Sequence, residues 1–341
     1  CFMAILVTGG VGYIASHTII TLLEKGEEVI ILDNLSNSFY ESLHKVKKIT
    51  GYDSRFYRGD ILDKELLRKI FKENTISDVI HFAGYKSVKE SISHPLKYYQ
   101  NNVSGTLSLI DAMGEACVKS LIFSSSATVY GEPERIPLDE NCRIGGTTNP
   151  YGTSKLFVEK FLIDYSHAFP DFRTTILRYF NPVGAHPSGE IGEDPNGIPN
   201  NLMPYICQVA IGKQQHLTIF GSDYPTKDGT GVRDYIHVMD LAEGHVAALE
   251  HRNEGANCKI YNLGTGTGYS VLELVDAFQR VTARKVPYVF SKRRPGDIAE
   301  CWSDPSKAYR ELGWKAKRGL EEMVRDAWNW QQKNPNGYIK A

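Results

Sequence analysis

Long apolar runs are missing from this chain of 341 residues. No stretch approaches the roughly 20 apolar residues that a membrane-spanning helix requires, so a membrane partner is not expected. Metal-type cysteine spacing is missing too. The six cysteines stand at 1, 117, 142, 207, 258 and 301, with no Cys-x-x-Cys pair and no histidine at ligand spacing. Zinc ribbons, dithiol redox motifs and disulfide scaffolds are therefore set aside, and reduced thiols in a cytoplasmic compartment are the expectation. A charge excess of one sign is also absent, with a formal net charge of -1 from 39 basic and 40 acidic residues. Such a chain has no global field for nucleic acid or an anionic surface. Its longest basic run, Lys45 to Lys48, reads as a solvated helix face. Internal repeats and low-complexity tracts do not occur. The short run Ala4 to Val7 lacks the basic start of a signal peptide and reads as a first strand.

What remains is an ordinary globular composition, 42% apolar and 23% charged, enough for two domains or one elaborated domain. The first half alternates strand-like and helix-like segments: Ile5 to Val7, Ile14 to Lys25, Val29 to Leu32, Asp63 to Glu73, and Val79 to His81. The series resumes with Leu96 to Ala116, Ser120 to Phe123, Pro150 to Phe169, and Thr174 to Arg178. This alternation predicts an α/β fold with a doubly wound parallel sheet. Between Asn181 and Asn201 the texture turns to loop, rich in Pro, Gly and Asn. A large domain over 3–180 and a smaller α/β domain over 181–341 are expected, with 235–265 able to return to the first. Leu217 to Phe220 reads as a strand and Val271 to Val281 as a helix of the second.

Two local patterns carry chemistry. Thr8-Gly9-Gly10-Val11-Gly12-Tyr13-Ile14-Ala15 follows the first strand and opens a helix, a place for a pyrophosphate. Gly9 allows the tight turn, Gly12 the close approach of phosphate, and Ala15 the packing of helix on strand. The second strand ends at Asp33, where a carboxylate can accept from both hydroxyls of an adenosine ribose and repel a 2′-phosphate, which favours NAD over NADP. Asp60 can reach an adenine amino group, and the small residues after His81 let backbone approach a cofactor. His81 itself reads as a packed strand residue, while Lys86 is open between cofactor contact and solvent.

The second pattern is Tyr151-Gly152-Thr153-Ser154-Lys155. If a helix starts near Pro150, the phenol and the ammonium share a face at i, i+4. A tyrosine of pKa about 10 serves as a base near pH 7 only if lowered by a few units, which the ammonium and a cationic cofactor ring could together supply. Tyr85/Lys89 and Tyr288/Lys292 have the same spacing. Only the pair at 151 and 155 follows a β-like run ending in serines and precedes a helical pattern.

These residues, with Ser124 to Gly131 and Arg178 to His186, resemble the extended short-chain dehydrogenase/reductase family and, within it, the UDP-glucose 4-epimerases. The resemblance runs essentially end to end, through Ile191 to Pro195, Ile198 to Leu202, Gly231 to Val238 and Arg293 to Asp297. It implies a Rossmann NAD-binding domain, a UDP-sugar domain and a homodimer meeting through helices 96–116 and 150–169. The implied catalytic residues are Ser126, Tyr151 and Lys155, with Tyr151 taking the proton from the sugar O4 while hydride leaves C4 for NAD. Implied NAD contacts are Gly9, Gly12, Tyr13, Ile14, Asp33, Asn34, Ser36, Asn37, Ser38, Asp60 and Ile61. Further along the chain they are Phe82, Ala83, Gly84, Lys86, Asn101, Ser124, Tyr151, Lys155 and Phe180. Implied substrate contacts are Lys86, Ser126, Tyr151, Asn181, Asn200, Asn201 and Leu202, then Thr218, Ile219 and Phe220 at the uracil. Arg233 and Arg294 would grip the diphosphate and Asp297 the uridine ribose, with Tyr235 and Cys301 completing the set. No metal is implied.

Two positions depart from the family pattern. Ala15 replaces its usual third glycine. Cys301 stands where some members have tyrosine, so the pocket would admit a 2-acetamido group as well. Two rival readings share these motifs: a sugar-nucleotide dehydratase, which needs an acid and base where this chain has Ala127-Thr128, and a non-catalytic NAD-binding sensor module.

Overall fold

A computed structural model describes residues 3–195, 197, 199–294 and 296–338. Ile198 and Pro295, within two of the resemblance segments, lie outside the described residues. The chain divides into two compact units. The first takes residues up to Gly131, Arg143–Tyr179 and Ala242–Tyr261, and the second takes Glu132–Cys142, Phe180–Leu241 and the chain from Asn262 onward.

The first unit begins with β1 (Ala4–Thr8), α1 (Tyr13–Glu24), β2 (Glu28–Asp33), α2 (Glu41–Thr50) and β3 (Arg55–Arg58). It continues through α3 (Lys64–Glu73), β4 (Ile76–His81), α4 (Val88–Ser93), α5 (Pro95–Tyr98) and α6 (Gly105–Glu115). Then come β5 (Ser120–Ser126), α7 (Pro150–Ala168) and β6 (Arg173–Tyr179). β1 is buried at every residue, as a strand covered by helices on both faces requires. The second unit supplies β7 (Asn181–Val183), α8 (Leu202–Ala210), β8 (Leu217–Phe220) and β9 (Val232–His237). After these, α9 (Val238–Glu250) and β10 (Cys258–Leu263) lead back to the first.

The resulting parallel sheet has the order β10-β6-β5-β4-β1-β2-β3. Strand order reverses between β1 and β4, so their carboxyl ends open a crevice at the switch point of a doubly wound sheet. Beneath it, Leu6, Ile30, Leu67, Ile70, Val79, Leu109, Leu121 and Phe123 form one apolar core.

The sequence predicts a single helix from Leu96 to Ala116; the structure breaks it. Between α5 and α6 a wide π turn covers Tyr99–Ser104. The turn buries Asn101 and Asn102, and it ends at Gly105, where an added Cβ would lie 2.5 Å from the Ile61 side chain. Such turns recur near functional sites. The rest of the second unit was thinly marked in the sequence. It holds β11 (Gly268–Ser270), α10 (Val271–Thr282), β12 (Tyr288–Ser291), β13 (Glu300–Cys301), α11 (Ser306–Leu312) and α12 (Leu320–Lys333). Here β11, β9 and β13 form a sheet with β7 on β9, and β12 pairs with β8. Ser270 and Glu273 cap α10 reciprocally, worth about 1 kcal/mol. Phe278 then meets Trp328 of α12 edge to face at 5.5 Å.

Candidate active site

At the switch point, Gly9 has φ +67°, and an added Cβ would fall 2.7 Å from the Ala83 backbone nitrogen. The two loops thus touch through bare backbone. Gly12 caps α1 with no side chain bonded to the first turn, leaving N–H groups of that turn available to an anion. At the end of β2, Asp33 accepts from the Val11 and Leu35 backbone nitrogens at 3.0 and 2.8 Å and from the Ser38 hydroxyl at 3.0 Å. Burial raises its pKa, against the hydrogen bonds from Leu35, Val11 and Ser38. Oδ1 takes the Leu35 and Ser38 bonds, and Oδ2, with Val11 alone, keeps a lone pair for a further donor. Asn34 donates to Asp60 at 2.8 Å and accepts from the Ser36 nitrogen at 2.9 Å. This cradle of glycine backbone, helix terminus and ribose-type acceptor fits an NAD molecule. No cluster of potential metal ligands occurs among the described residues.

Pro150 opens α7, and Asn149 caps it by accepting from Gly152 N at 2.9 Å. A Cβ on Gly152 would lie 3.3 Å from Thr128, so the helix packs closely on the turn that follows β5. This seats Tyr151 against Ser126. The two hydroxyls hydrogen-bond, and burial, opposed by that bond, raises the tyrosine pKa. Ser126 also accepts from the Thr128 nitrogen and hydroxyl at 3.2 and 3.0 Å. One turn on, Lys155 donates to the Ser124 carbonyl at 2.8 Å and lies 4.9 Å over the Phe123 ring. Burial pushes the ammonium down to about 8, while the Glu159 charge opposes the shift. The lowered tyrosine anticipated from spacing is thus not a property of the protein alone, because desolvation outweighs the groups around it.

The rival pairs part company. Tyr288 lies in β12, and Tyr85 precedes the helix that carries Lys89. His81 is the packed residue expected, bonded to Thr8 and Thr106 at 2.6 and 2.8 Å, and burial, with Lys155 nearby, holds it at about 3 and neutral. Lys86 is exposed, with its ammonium 5.9 Å from the Tyr13 ring. Asn101 donates to Asn102 at 3.0 Å. Ile61 is buried beneath Gly105. Three residues of this region went unread. Asn102 accepts from Tyr85 N at 2.8 Å and donates to Ser154 at 3.0 Å, joining the β4 loop to α7. His245 bonds Ser124 at 2.9 Å and stacks on Phe82 at 4.7 Å. Glu159 sits at i+8 from Tyr151, on the same buried face of α7.

Within the second unit, Phe180 is buried and its nitrogen donates to Leu263 at 3.2 Å. Asn181 pairs with Tyr235 across β7 and β9. Arg233 and Arg294 share the Asp297 carboxylate at 4.0 and 3.0 Å. The Arg294 guanidinium covers Phe220 at 4.7 Å. Cys301 pairs in register with Arg233, and burial pushes its thiol up to about 11. Two guanidinium groups thus gather at one carboxylate, and such groups make charge-assisted hydrogen bonds to oxyanions. Thr218 and Ile219 lie with Phe220 on β8 beside β12. Asn201 donates to Glu193 at 2.6 Å at the start of α8, next to Leu202, and Asn200 is exposed before it. Tyr224 went unread: its buried hydroxyl has no hydrogen-bond partner among the described residues, and it lies within the fields of Asp297, Arg293, Arg233 and Arg294. A lone aromatic in a Gly-Ser-Asp-Tyr-Pro turn carries no signal that could have singled it out.

A family model described as GDP-mannose 4,6 dehydratase matches residues 6–327. The UDP-glucose 4-epimerase of Pasteurella multocida (strain Pm70) is 63% identical over 336 residues, covering 98% of this chain and 99% of that one. That of Bacillus subtilis (strain 168) is 61% identical over 339 residues, covering 99% and 100%. The crystal structure of UDP-glucose 4-epimerase from Bifidobacterium longum, in complex with NAD+ and UDP, superposes with a TM-score of 0.96 at 53% identity, covering 98% of this chain and all of that one.

Proposed function

The chain belongs to the extended short-chain dehydrogenase/reductases and, within them, to the UDP-glucose 4-epimerase family, and from that premise we infer that it interconverts UDP-glucose and UDP-galactose at C4 with NAD as cofactor. The observation that carries the reading is the convergence of Ser126, Tyr151 and Lys155 at the end of β5, followed by Ala127-Thr128 where an elimination would need carboxyl groups. NAD, when bound, supplies the acceptor and then the donor of the C4 hydride. Tyr151 accepts the O4 proton and returns it to the keto oxygen after the sugar has turned. Ser126 hydrogen-bonds that oxygen. Lys155 stabilises the phenolate through its charge, against a burial that raises the tyrosine pKa.

On the same reading, Gly9, Gly12 and Asp33 with the neighbouring loop residues hold the cofactor. Arg233, Arg294 and Asp297 hold the uridine diphosphate. The small Cys301 side chain is read as leaving room for a 2-acetamido group, so UDP-GlcNAc and UDP-GalNAc are proposed as further substrates. A homodimer is proposed through the α4–α7 side of the first unit, where Val88, Ile92, Leu96, Leu107 and Phe157 are exposed. The cysteines at 117, 142, 207, 258 and 301 form no disulfide, which suits a reducing cytoplasm. No helix among the described residues is long and apolar enough to cross a membrane.

The test is incubation of the purified protein, without added cofactor, with UDP-galactose and separately with UDP-GalNAc, followed by chromatographic resolution of the nucleotide sugars. Conversion of both is expected, and Cys301→Tyr is expected to keep the first and abolish the second. Conversion of UDP-galactose alone removes the wide pocket; conversion of neither, even with NAD added, removes the epimerase reading.

A further inference from the structure

Tyr151, Lys155 and Glu159 recur every four residues along α7 and share a buried face, yet only the first two have a place in the chemistry above. The Glu159 side chain is 0% exposed. Its carboxylate receives the Ser125 hydroxyl at 2.5 Å, Arg178 Nε at 3.1 Å to each oxygen, and Arg178 Nη2 at 2.6 Å. Ser125 and Arg178 are direct register partners on β5 and β6, so Glu159 bonds one helix to two adjacent strands. Tyr130 backs the assembly by accepting from Arg178 Nη1 at 3.2 Å. Desolvating such a pair is costly, and apolar side chains of similar volume would hold a helix to a sheet as well. A role beyond adhesion is called for.

Position supplies one. Ser125 stands between Ser124, whose carbonyl takes the Lys155 ammonium, and Ser126, which bonds Tyr151. Side chains alternate along the strand, so Ser125 reaches α7 while Ser124 reaches His245. We propose that Glu159 is a positioning residue for the proton-transfer pair, tying the α7 face that carries Tyr151 and Lys155 to the strand end that carries Ser124 and Ser126. Without that tie α7 can slide on the sheet, and a displacement of about 1 Å between reacting groups costs on the order of a hundredfold in rate. The carboxylate also acts through its charge. Burial drives Lys155 toward neutrality, and Glu159 opposes it. Among the other groups around the ammonium, His81 on β4 is neutral, Arg178 on β6 is cationic and held by Glu159, and burial raises the pKa of Tyr151 on α7 and of Tyr179 on β6.

The inference rests on the epimerase reading, and its test separates the two. kcat and KM for UDP-galactose are measured against pH for the NAD-loaded wild type, Glu159→Gln, Ser125→Ala and Tyr130→Phe, each with a thermal melt. In Glu159→Gln the alkaline limb of kcat is expected to move down by about one pH unit, with kcat at pH 8 lowered about tenfold and KM within about twofold. Ser125→Ala, which keeps the ion pair, is expected to lower kcat about fivefold with the limb in place. Tyr130→Phe is expected to lower the melting temperature alone. An unmoved limb and unchanged kcat in Glu159→Gln overturn the proposal, as does a kcat loss in Tyr130→Phe matching that of Ser125→Ala. Should Glu159→Gln fail to fold, Ser125→Ala decides: unchanged kcat overturns it. An inactive wild type removes the epimerase reading and the positioning role with it.

Discussion

Replacing Tyr151 by phenylalanine separates chemistry from architecture in a single atom. The phenol hydroxyl has one hydrogen-bond partner of note, Ser126, and Ser126 keeps its two bonds from Thr128 when the phenol is gone. The Ser126 hydroxyl, which already accepts twice from Thr128, loses the acceptor of its own proton, so the folding cost is about 1–3 kcal/mol. The ring stays in its buried slot, and Lys155 keeps the Ser124 carbonyl. On the proposed mechanism the reaction, by contrast, loses its proton acceptor. General acid–base groups contribute about 10²- to 10⁴-fold, or roughly 3 to 5 kcal/mol of barrier. Turnover of UDP-galactose in a chromatographic assay is therefore expected to fall at least about a hundredfold, while NAD content and KM stay close to wild type. A Tyr151→Phe protein with wild-type turnover refutes the catalytic assignment. One that loses turnover together with its bound NAD points to a collapsed site instead of a missing base.

Gly9→Ala places a methyl 2.7 Å from the Ala83 nitrogen at a φ of +67°, at about 1–2 kcal/mol for the dihedral alone. NAD released on denaturation, read by absorbance, should drop sharply, and an undiminished yield would contradict the loop contact. Asp234, buried, accepts from Thr265, Gly266 and Ser303 through five donors at 2.5 to 3.2 Å. Asp234→Asn turns a donor toward them and should cost about 3 kcal/mol in denaturant unfolding, whereas a loss below about 1 kcal/mol would show that the network is slack. His81 holds its proton only below about 3 in the folded chain, against 6.5 ordinarily. The unfolded chain therefore binds the extra proton between those values, and stability present above pH 6.5 drains as pH falls toward 3. His81→Gln should flatten that decline by up to about 1.4 kcal/mol per pH unit between pH 6 and 5, and an unchanged slope would place a proton on the native imidazole.

Much of the first unit was legible because its signals are local. A strand, a glycine turn, a helix and an aspartate at the next strand end follow one another within 33 residues, and the parallel sheet follows from their alternation. The Tyr151–Lys155 pair was legible for the same reason, since one helical turn brings i and i+4 together. The break at Tyr99–Ser104 was not, since the packing of Gly105 against Ile61 at its end joins residues 44 positions apart. His245 was not, because its bond to Ser124 spans 121 positions. In the second unit, short strands such as β13, of two residues, carry too little periodicity to be read, and the placement of Arg233 beside Cys301 comes from sheet register alone.

By itself, then, the sequence determined the class of fold, the cofactor and the placing of Tyr151 and Lys155 on one helical face, all properties of residue type at short spacing. Tertiary structure alone decided their electrostatics. Whether Tyr151 is raised or lowered, whether Lys155 keeps its proton and whether Glu159 has a use depend on how much water each group has lost and which charges stand within a few ångströms. Those quantities are set by packing across the sheet and have no counterpart along the chain.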